Sequence, residues 1–123
     1  MLYILLVEDD DLVRDCLFEA LHEAGLQIEA SNTAEAALHR MNADKPPGVL
    51  VTDINLGPGM DGLAFARAAR DVCPGLPVVF ISGRYAELAG MTDNERFLPK
   101  PFSTPDLLQA IASVQQAAAG LKA

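Results

Sequence analysis

Five polar side chains of this sequence each follow a short apolar run, as expected at the end of a β-strand. They are Glu8, Asp9, Asp53, Ser82 and Lys100. If the runs form parallel strands, these side chains meet at one edge of the sheet, where open α/β folds bind ligands. Acids gathered around one hydroxyl and one ammonium predict a metal-assisted phosphoryl site.

The predicted cluster of carboxylates needs a cation. Neighbouring carboxylates raise one another's pKa unless positive charge lies between them. A few protein oxygens, together with water and a phosphate group, favour Mg²⁺ over Ca²⁺. We expect Asp9 and Asp53 to bind Mg²⁺ directly and Glu8 to orient a bound water. A backbone carbonyl near Asn55 is expected to supply a third protein oxygen.

Asp53 is also the candidate nucleophile. A carboxylate can attack phosphorus and hold the resulting aspartyl phosphate, and Asp53 ends the strand expected at the centre of the sheet. The incoming phosphoryl oxygens need positive charge and hydrogen-bond donors already in place. Mg²⁺, the Lys100 ammonium and the Ser82 hydroxyl are expected to provide them.

Each of these residues also has a purely structural interpretation. Acids after a strand often cap the next helix and complement its dipole, which is the role we expect of Asp10 and Asp11. Asp53 alone fits a turn, Ser82 a helix cap, and Lys100 a charge that protects an edge strand. Suitable groups at all four strand ends together favour the chemical interpretation.

Composition limits the class of protein. The chain has 123 residues and a net charge of −8, which predicts a single domain over 1–123. The negative charge argues against binding nucleic acid or an anionic membrane surface. The first apolar run is too short for a signal peptide or a membrane span. Cys16 and Cys73 fall in apolar helical positions, so we expect buried thiols in a soluble cytoplasmic protein.

Strand-like and helix-like segments alternate along the chain. Strands are predicted at about 2–7, 26–30, 49–52, 77–81 and 96–98. Helices are predicted between them, with only a short one expected between the fourth and fifth strands, at about 85–90. We expect Asn32 to cap the second helix with Glu35 in capping-box position, and Thr104 to cap the last helix before Pro105.

The alternation predicts an α/β fold with a parallel sheet and helices on both faces. The first, third and fourth strands are apolar enough to be buried at the centre, and Pro99 places the fifth strand at an edge. The flavodoxin-like, doubly wound five-stranded order 2-1-3-4-5 meets both conditions. Its switch point lies between the strands that carry Glu8, Asp9 and Asp53.

Four motifs occur in the order and spacing of a known family. They are Leu5-Leu6-Val7-Glu8-Asp9-Asp10, Thr52-Asp53-Ile54-Asn55-Leu56 with Met60-Asp61-Gly62, Ile81-Ser82-Gly83, and Leu98-Pro99-Lys100-Pro101-Phe102. Together they closely resemble the receiver domain of two-component response regulators. The resemblance covers essentially the whole chain.

The resemblance implies a role for each acid of the site. Asp53 matches the aspartate that accepts a phosphoryl group from a histidine kinase or a phosphotransfer protein. Glu8 and Asp9 match the acid pair that holds Mg²⁺. Asn55 matches the position whose carbonyl binds the ion and whose side chain influences dephosphorylation.

The resemblance also implies a switch. Ser82 matches the hydroxyl that moves to contact the phosphoryl group, and Phe97 matches the aromatic ring that then turns inward. Lys100 matches the invariant lysine of the family, with a cis bond expected between it and Pro101. Arg84 matches a position that tunes the phosphoryl lifetime.

Two loops depart from the family pattern. The loop from Asn55 to Asp61 is one residue longer than usual, but it lies beyond the metal ligand, so Mg²⁺ binding should survive. The stretch from Ser82 to Lys100 is several residues shorter. We therefore expect the fourth helix to be short or irregular. In the family, this helix forms the common dimer and output face together with strand five and helix five, so we expect that face to differ here.

The predicted function is a phosphorylation-switched signalling domain, not a turnover enzyme, that acts on an unknown downstream protein as a monomer or weak dimer. The main alternative is a receiver-like interaction module that works without phosphorylation, although such proteins usually lose an acid or the lysine. A metal-dependent phosphatase would need an acid where Asn55 stands. A flavin phosphate would be repelled by the acids after the first strand.

Overall fold

The computed structural model describes residues 3–43, 46–57, 59–83 and 94–121. Five strands occur in it: β1 Tyr3–Val7, β2 Gln27–Ser31, β3 Val49–Asp53, β4 Val78–Ser82 and β5 Glu95–Pro99. Four helices accompany them: α1 Asp11–Glu23, α2 Ala34–Ala43, α3 Gly62–Val72 and α4 Thr104–Leu121. The predicted short helix at 85–90 and residue Arg84 lie outside the described residues.

The strands form one parallel sheet in the order β2-β1-β3-β4-β5. The register pairs Val7 with Thr52, Asp53 with Ile81, and Ser82 with Pro99. Because every pair is parallel, the carboxyl ends of all five strands lie at the same edge of the sheet. The predicted flavodoxin-like order is confirmed, with β3 at the centre and β5 at an edge.

Hydrophobic side chains pack on both faces of the sheet. One cluster joins β1, β3 and β4 to α2 and α3 and includes Leu50 and Phe65. The other joins the same strands to α1 and α4 and includes Val51 and Leu107. Burial of each such side chain contributes about 1.5–3 kcal/mol. The alternation of neighbouring β3 residues between the two clusters fixes which way Asp53 points at the end of that strand.

Two helices begin one residue away from the predicted caps. Thr33, not Asn32, caps α2, because its Oγ1 accepts a hydrogen bond from the backbone N–H three residues on, at 3.1 Å. Ser103, not Thr104, caps α4 in the same way, at 3.2 Å. In both places two adjacent residues have capping side chains, and the turn of the backbone selects between them.

The prediction of two buried cysteines is wrong for Cys16. Cys16 is exposed on α1, and Cys73 is half-buried at the C-terminal end of α3. Cys16 lies five residues before Leu21, the buried residue of α1. That separation rotates it by about 140° away from Leu21 around the helix axis.

None of the helices in the described part of the chain is long and apolar enough to cross a bilayer.

Candidate functional site

Two acids follow β1 at the carboxyl edge of the sheet. The backbone N–H of Glu8 donates to the carbonyl of Ser31 at 3.2 Å, which extends the β1–β2 pairing by one residue. This pairing holds the Glu8 side chain inside the protein, where only 1% of the residue is exposed, whereas Asp9 is exposed. Asp10 then caps α1 by accepting from a first-turn amide at 3.0 Å.

The carboxylate of Asp53 ends the central strand and is held on both oxygens. Oδ1 accepts a hydrogen bond from the backbone N–H of Asn55 at 3.0 Å, and Oδ2 accepts one from the Nζ of Lys100 at 2.8 Å. Only 7% of Asp53 is exposed. These contacts give the side chain one defined orientation, toward the acids that follow β1.

Lys100 joins two strand ends that are distant in the sequence. Its Nζ donates to Glu8 Oε1 at 2.9 Å as well as to Asp53 Oδ2. The backbone N–H of Lys100 donates to the carbonyl of Ser82 at 2.8 Å, and the bond to Pro101 is cis, as the resemblance implied. The ammonium therefore lies between the two buried carboxylates.

Burial and charge change the acid–base properties of this cluster. Burial raises the pKa of Glu8 to about 7, and the charge of Asp53 adds to this effect, while the hydrogen bond from Lys100 opposes it. Burial alone would lower the pKa of Lys100, but its hydrogen bonds to Asp53 and Glu8 and their negative charges raise it on balance. Lys100 therefore stays charged at neutral pH.

Three carboxylates of the cluster are arranged as a cation site. Oxygens from Glu8, Asp9 and Asp53 all lie within 4.8 Å of one another. Carboxylate oxygens are hard ligands, and two of these three acids are buried, where unbalanced negative charge is costly. The three side chains therefore fit Mg²⁺, which keeps several waters and needs few protein ligands.

The loop after β3 closes over this edge of the sheet. Gly57 has a positive φ of 74°, and a Cβ placed there would lie 3.4 Å from Asp9 Oδ2. Glu35, from the first turn of α2, accepts from the backbone N–H of Met60 at 3.4 Å. Glu35 was predicted to complete a capping box in its own helix; it instead contacts this loop.

The arrangement combines a candidate cation site, a buried carboxylate and an ammonium held between two acids. A carboxylate that faces a bound cation and an ammonium is suited to accept a phosphoryl group, because both positive groups stabilise the transferred oxygens. A family model described as the response regulator receiver domain matches residues 4–112.

The chain belongs to this family. It is 36% identical over 120 residues to the response regulator receiver protein CpdR of Brucella abortus, covering 94% of the chain and 98% of CpdR. It is also 36% identical over 121 residues to the DNA-binding transcriptional regulator NtrC of Salmonella typhimurium, covering 93% of the chain but only 24% of NtrC.

Solved structures agree with this assignment. A response regulator receiver protein from Sinorhizobium medicae superposes with a TM-score of 0.87 at 31% identity, over 95% of the chain and 96% of that protein. The CheY-like receiver domain protein from Methanospirillum hungatei gives 0.83 at 26% identity, over 98% of each chain.

Of the two predicted switch residues, Ser82 lies at the same edge of the sheet and Phe97 lies two residues before the end of β5. Ser82 ends β4 and is buried, next in the chain to Ile81, the partner of Asp53 in the sheet. Phe97 is half-buried in β5, pairs with Phe80, and packs against the hydrophobic cluster under α2 and α3. Their roles in switching stay predictions.

One residue near the site was missed in the sequence. Arg14 of α1 donates through Nη1 to the carbonyl of Glu8 at 3.0 Å and forms an ion pair through Nη2 with Asp11. It thereby holds the turn that connects β1 to α1. A lone base one turn after a run of acids was the signal available in the sequence.

Proposed function

We propose that this receiver domain accepts one phosphoryl group on Asp53, with Mg²⁺ at Glu8, Asp9 and Asp53, from a histidine kinase or a phosphotransfer protein. The observation that carries the proposal is the hydrogen bonding of Lys100 to both Glu8 and Asp53, across 92 and 47 residues of sequence. A lysine that only protected an edge strand would not be held by both buried acids.

The transfer is a displacement at phosphorus. An oxygen of the Asp53 carboxylate attacks the phosphorus of a phosphohistidine, and a new O–P bond forms as the P–N bond breaks. The imidazole leaves with the electron pair of that bond. Bound Mg²⁺ would neutralise charge on the phosphoryl oxygens and orient them, and the carbonyl of Asn55 is proposed as an additional ligand.

Lys100 has a role before and after the transfer. Before it, the ammonium lies between Glu8 and Asp53 and offsets their repulsion. After the transfer, the negative charge lies on the phosphoryl oxygens and no longer on the Asp53 carboxylate. The Lys100 ammonium would then donate hydrogen bonds to the phosphoryl oxygens. This differential interaction stabilises the phosphorylated state.

We further propose that phosphorylation switches a protein-binding surface. The Ser82 hydroxyl would donate to a phosphoryl oxygen, and the Phe97 ring would turn further into the core. The short connection from Ser82 through the backbone N–H of Lys100 supports coupling between β4 and β5. The output is binding of a downstream protein by a monomer or weak dimer, without catalytic turnover and without nucleic-acid or membrane binding by this domain.

Unpaired Cys16 and Cys73 support a cytoplasmic location.

Incubation with acetyl phosphate and Mg²⁺, followed by intact mass measurement, tests the proposal. Wild type should gain the mass of one phosphoryl group, Asp53→Asn should gain none, and Asp15→Asn, an exposed acid on α1, should behave as wild type. If wild type gains no mass under conditions that label a control receiver, the chain is an interaction module that works without phosphorylation.

A further inference from the structure

The peptide group that joins Asp53 to Ile54 is enclosed by the first residue of α3. A Cβ added to Gly62 would lie 2.1 Å from the carbonyl oxygen of Asp53, 2.9 Å from its carbonyl carbon, and 2.9 Å from the Cα of Ile54. All three are backbone atoms, so no change of rotamer relieves the overlap. Only glycine, which has no Cβ, therefore fits at position 62 without a shift of the backbone.

Hydrogen bonds fix the same peptide group from its other sides. The Oγ1 of Thr52, which is fully buried, donates to the carbonyl oxygen of Asp53 at 3.0 Å. The backbone N–H of Ile54 donates to the carbonyl of Ile81 at 2.9 Å. The carbonyl of Ile54, which belongs to the next peptide group, accepts from the N–H of Gly62 at 2.8 Å. The peptide that follows Asp53 is thus held by a hydrogen bond at both its oxygen and its N–H.

We propose that Gly62 and Thr52 are positioning residues for Asp53, an inference that rests on the proposed phosphoryl transfer. They act through the 53–54 peptide, whose orientation sets the direction of the Asp53 carboxylate toward Lys100 and the other acids. Since no ordinary contact of a Cβ is closer than about 3 Å, a methyl group at 62 must push this peptide and the start of α3 apart by about 1 Å. A misplacement of about 1 Å at a reacting group can cost about 100-fold in rate.

Gly62→Ala tests the proposal against a matched control in the turn that follows the other end of α3. Gly75→Ala introduces the same methyl group at a φ of 79° with nothing within 4 Å. It strains the fold but leaves the site alone, so it should lower the Tm by a few degrees. We expect Gly62→Ala to slow labelling by acetyl phosphate about 10- to 100-fold per folded molecule, and Gly75→Ala to label at the wild-type rate.

A second pair of variants tests the same peptide if Gly62→Ala does not fold. Thr52→Val removes the hydroxyl with little change of shape, whereas Thr52→Ser keeps it. We expect Thr52→Val to label several-fold more slowly and Thr52→Ser to restore most of the rate, although serine loses a buried methyl group and is the less well packed of the two. If Thr52 acted only by stabilising the fold, the labelling rates of the two variants would instead follow their stabilities.

Mg²⁺ affinity of the same variants, measured by calorimetry, separates this proposal from the proposed function. If wild type binds Mg²⁺ but is not labelled, phosphoryl transfer is wrong, and weaker Mg²⁺ binding by Gly62→Ala than by Gly75→Ala would still support positioning. If wild type is labelled and folded Gly62→Ala and Thr52→Val match it in rate and Mg²⁺ affinity, the positioning proposal is wrong.

Discussion

At the scale of single residues, the site is a balance between buried negative charge and one ammonium. Glu8 is almost fully buried, and its pKa is raised to about 7 by burial in spite of its contact with Lys100. Replacing a buried charged group by a hydrophobic residue of similar size often stabilises a fold, so we infer that an acid at this position costs stability. We propose that an acid is kept in this place to bind a cation or to orient what binds it.

This balance predicts how the stability of the Mg²⁺-free protein depends on pH. The pKa of Glu8 rises from 4.5 in the unfolded chain to about 7 in the folded protein. The folded state therefore holds a proton that the unfolded state has lost between these values, and stability falls as pH rises from about 5 to 8. The change due to Glu8 is about 3 kcal/mol.

Urea unfolding of wild type and Glu8→Gln in a chelator, at several pH values, measures this contribution. Gln cannot ionise, so the decrease in stability with rising pH should be missing from Glu8→Gln. It should be present in Glu19→Gln, which changes an exposed acid on α1. Parallel pH profiles for wild type and Glu8→Gln would contradict the account of Glu8.

At the scale of elements, the turn from β1 into α1 carries the acids and must be held in place. Asp10 caps α1 through its Oδ1, and Arg14 ties the helix back to the carbonyl of Glu8. Asp11 lies in the same turn, but its side chain is 84% exposed. We therefore expect the side chain of Asp10 to contribute more to the stability of this turn than that of Asp11.

Replacing each of these two acids by alanine separates capping from surface charge. Asp10→Ala leaves the backbone N–H of Val13 without its side-chain partner and should lower the free energy of unfolding by about 1 kcal/mol. Asp11→Ala loses only an exposed ion pair and should change it by less than about 0.5 kcal/mol. Urea unfolding at pH 7 measures both values, and equal losses would show that the cap contributes nothing specific.

The elements were the more predictable part of the molecule. Hydrophobic runs and turn residues located all five strands, and the position of Pro99 gave the edge strand and hence the order of the sheet. The exposure of Cys16 was not predictable from its apolar neighbours, because the apolar stripe of α1 is wide and only contact with the sheet decides which side is buried. The predicted caps of α2 and α4 were wrong by one residue, because two adjacent residues can cap each helix and the turn of the backbone decides between them.

The residues that form the candidate site were predictable from the sequence, but the backbone contacts that hold them in place were not. Residue types at the strand ends indicated Glu8, Asp9, Asp53 and Lys100, and the structure brings these four together. No sequence pattern indicated that the carbonyl of Asp53 lies against Gly62. Such contacts depend on how closely a helix approaches a strand, which is a property of the tertiary fold.

At the scale of the whole molecule, cation binding and stability are linked. A ligand that binds only the folded state stabilises it by about 2.7 kcal/mol at 100 times its dissociation constant. The net charge of −8 also produces a general response to added salt. The two effects are separable because only one of them requires the cluster of three acids.

Mg²⁺ should therefore raise the Tm of wild type and of Asp15→Ala, but not of Asp9→Ala. Asp9 belongs to the cluster of carboxylates, whereas Asp15 is an exposed acid of α1 outside it. Thermal unfolding with Mg²⁺ or with Na⁺ at matched ionic strength measures the difference. An equal Mg²⁺ response in the two variants would mean that the ion acts by screening alone.

The central claim is that the oxygen that receives the phosphoryl group belongs to Asp53. Borohydride reduces an acyl phosphate to an alcohol, so treatment of the phosphorylated protein followed by peptide mapping locates the modified carboxyl group. Our account predicts homoserine at position 53 and at no other acid. Homoserine at position 9 or 10, or 5-hydroxynorvaline at position 8, with Asp53 unmodified would contradict it.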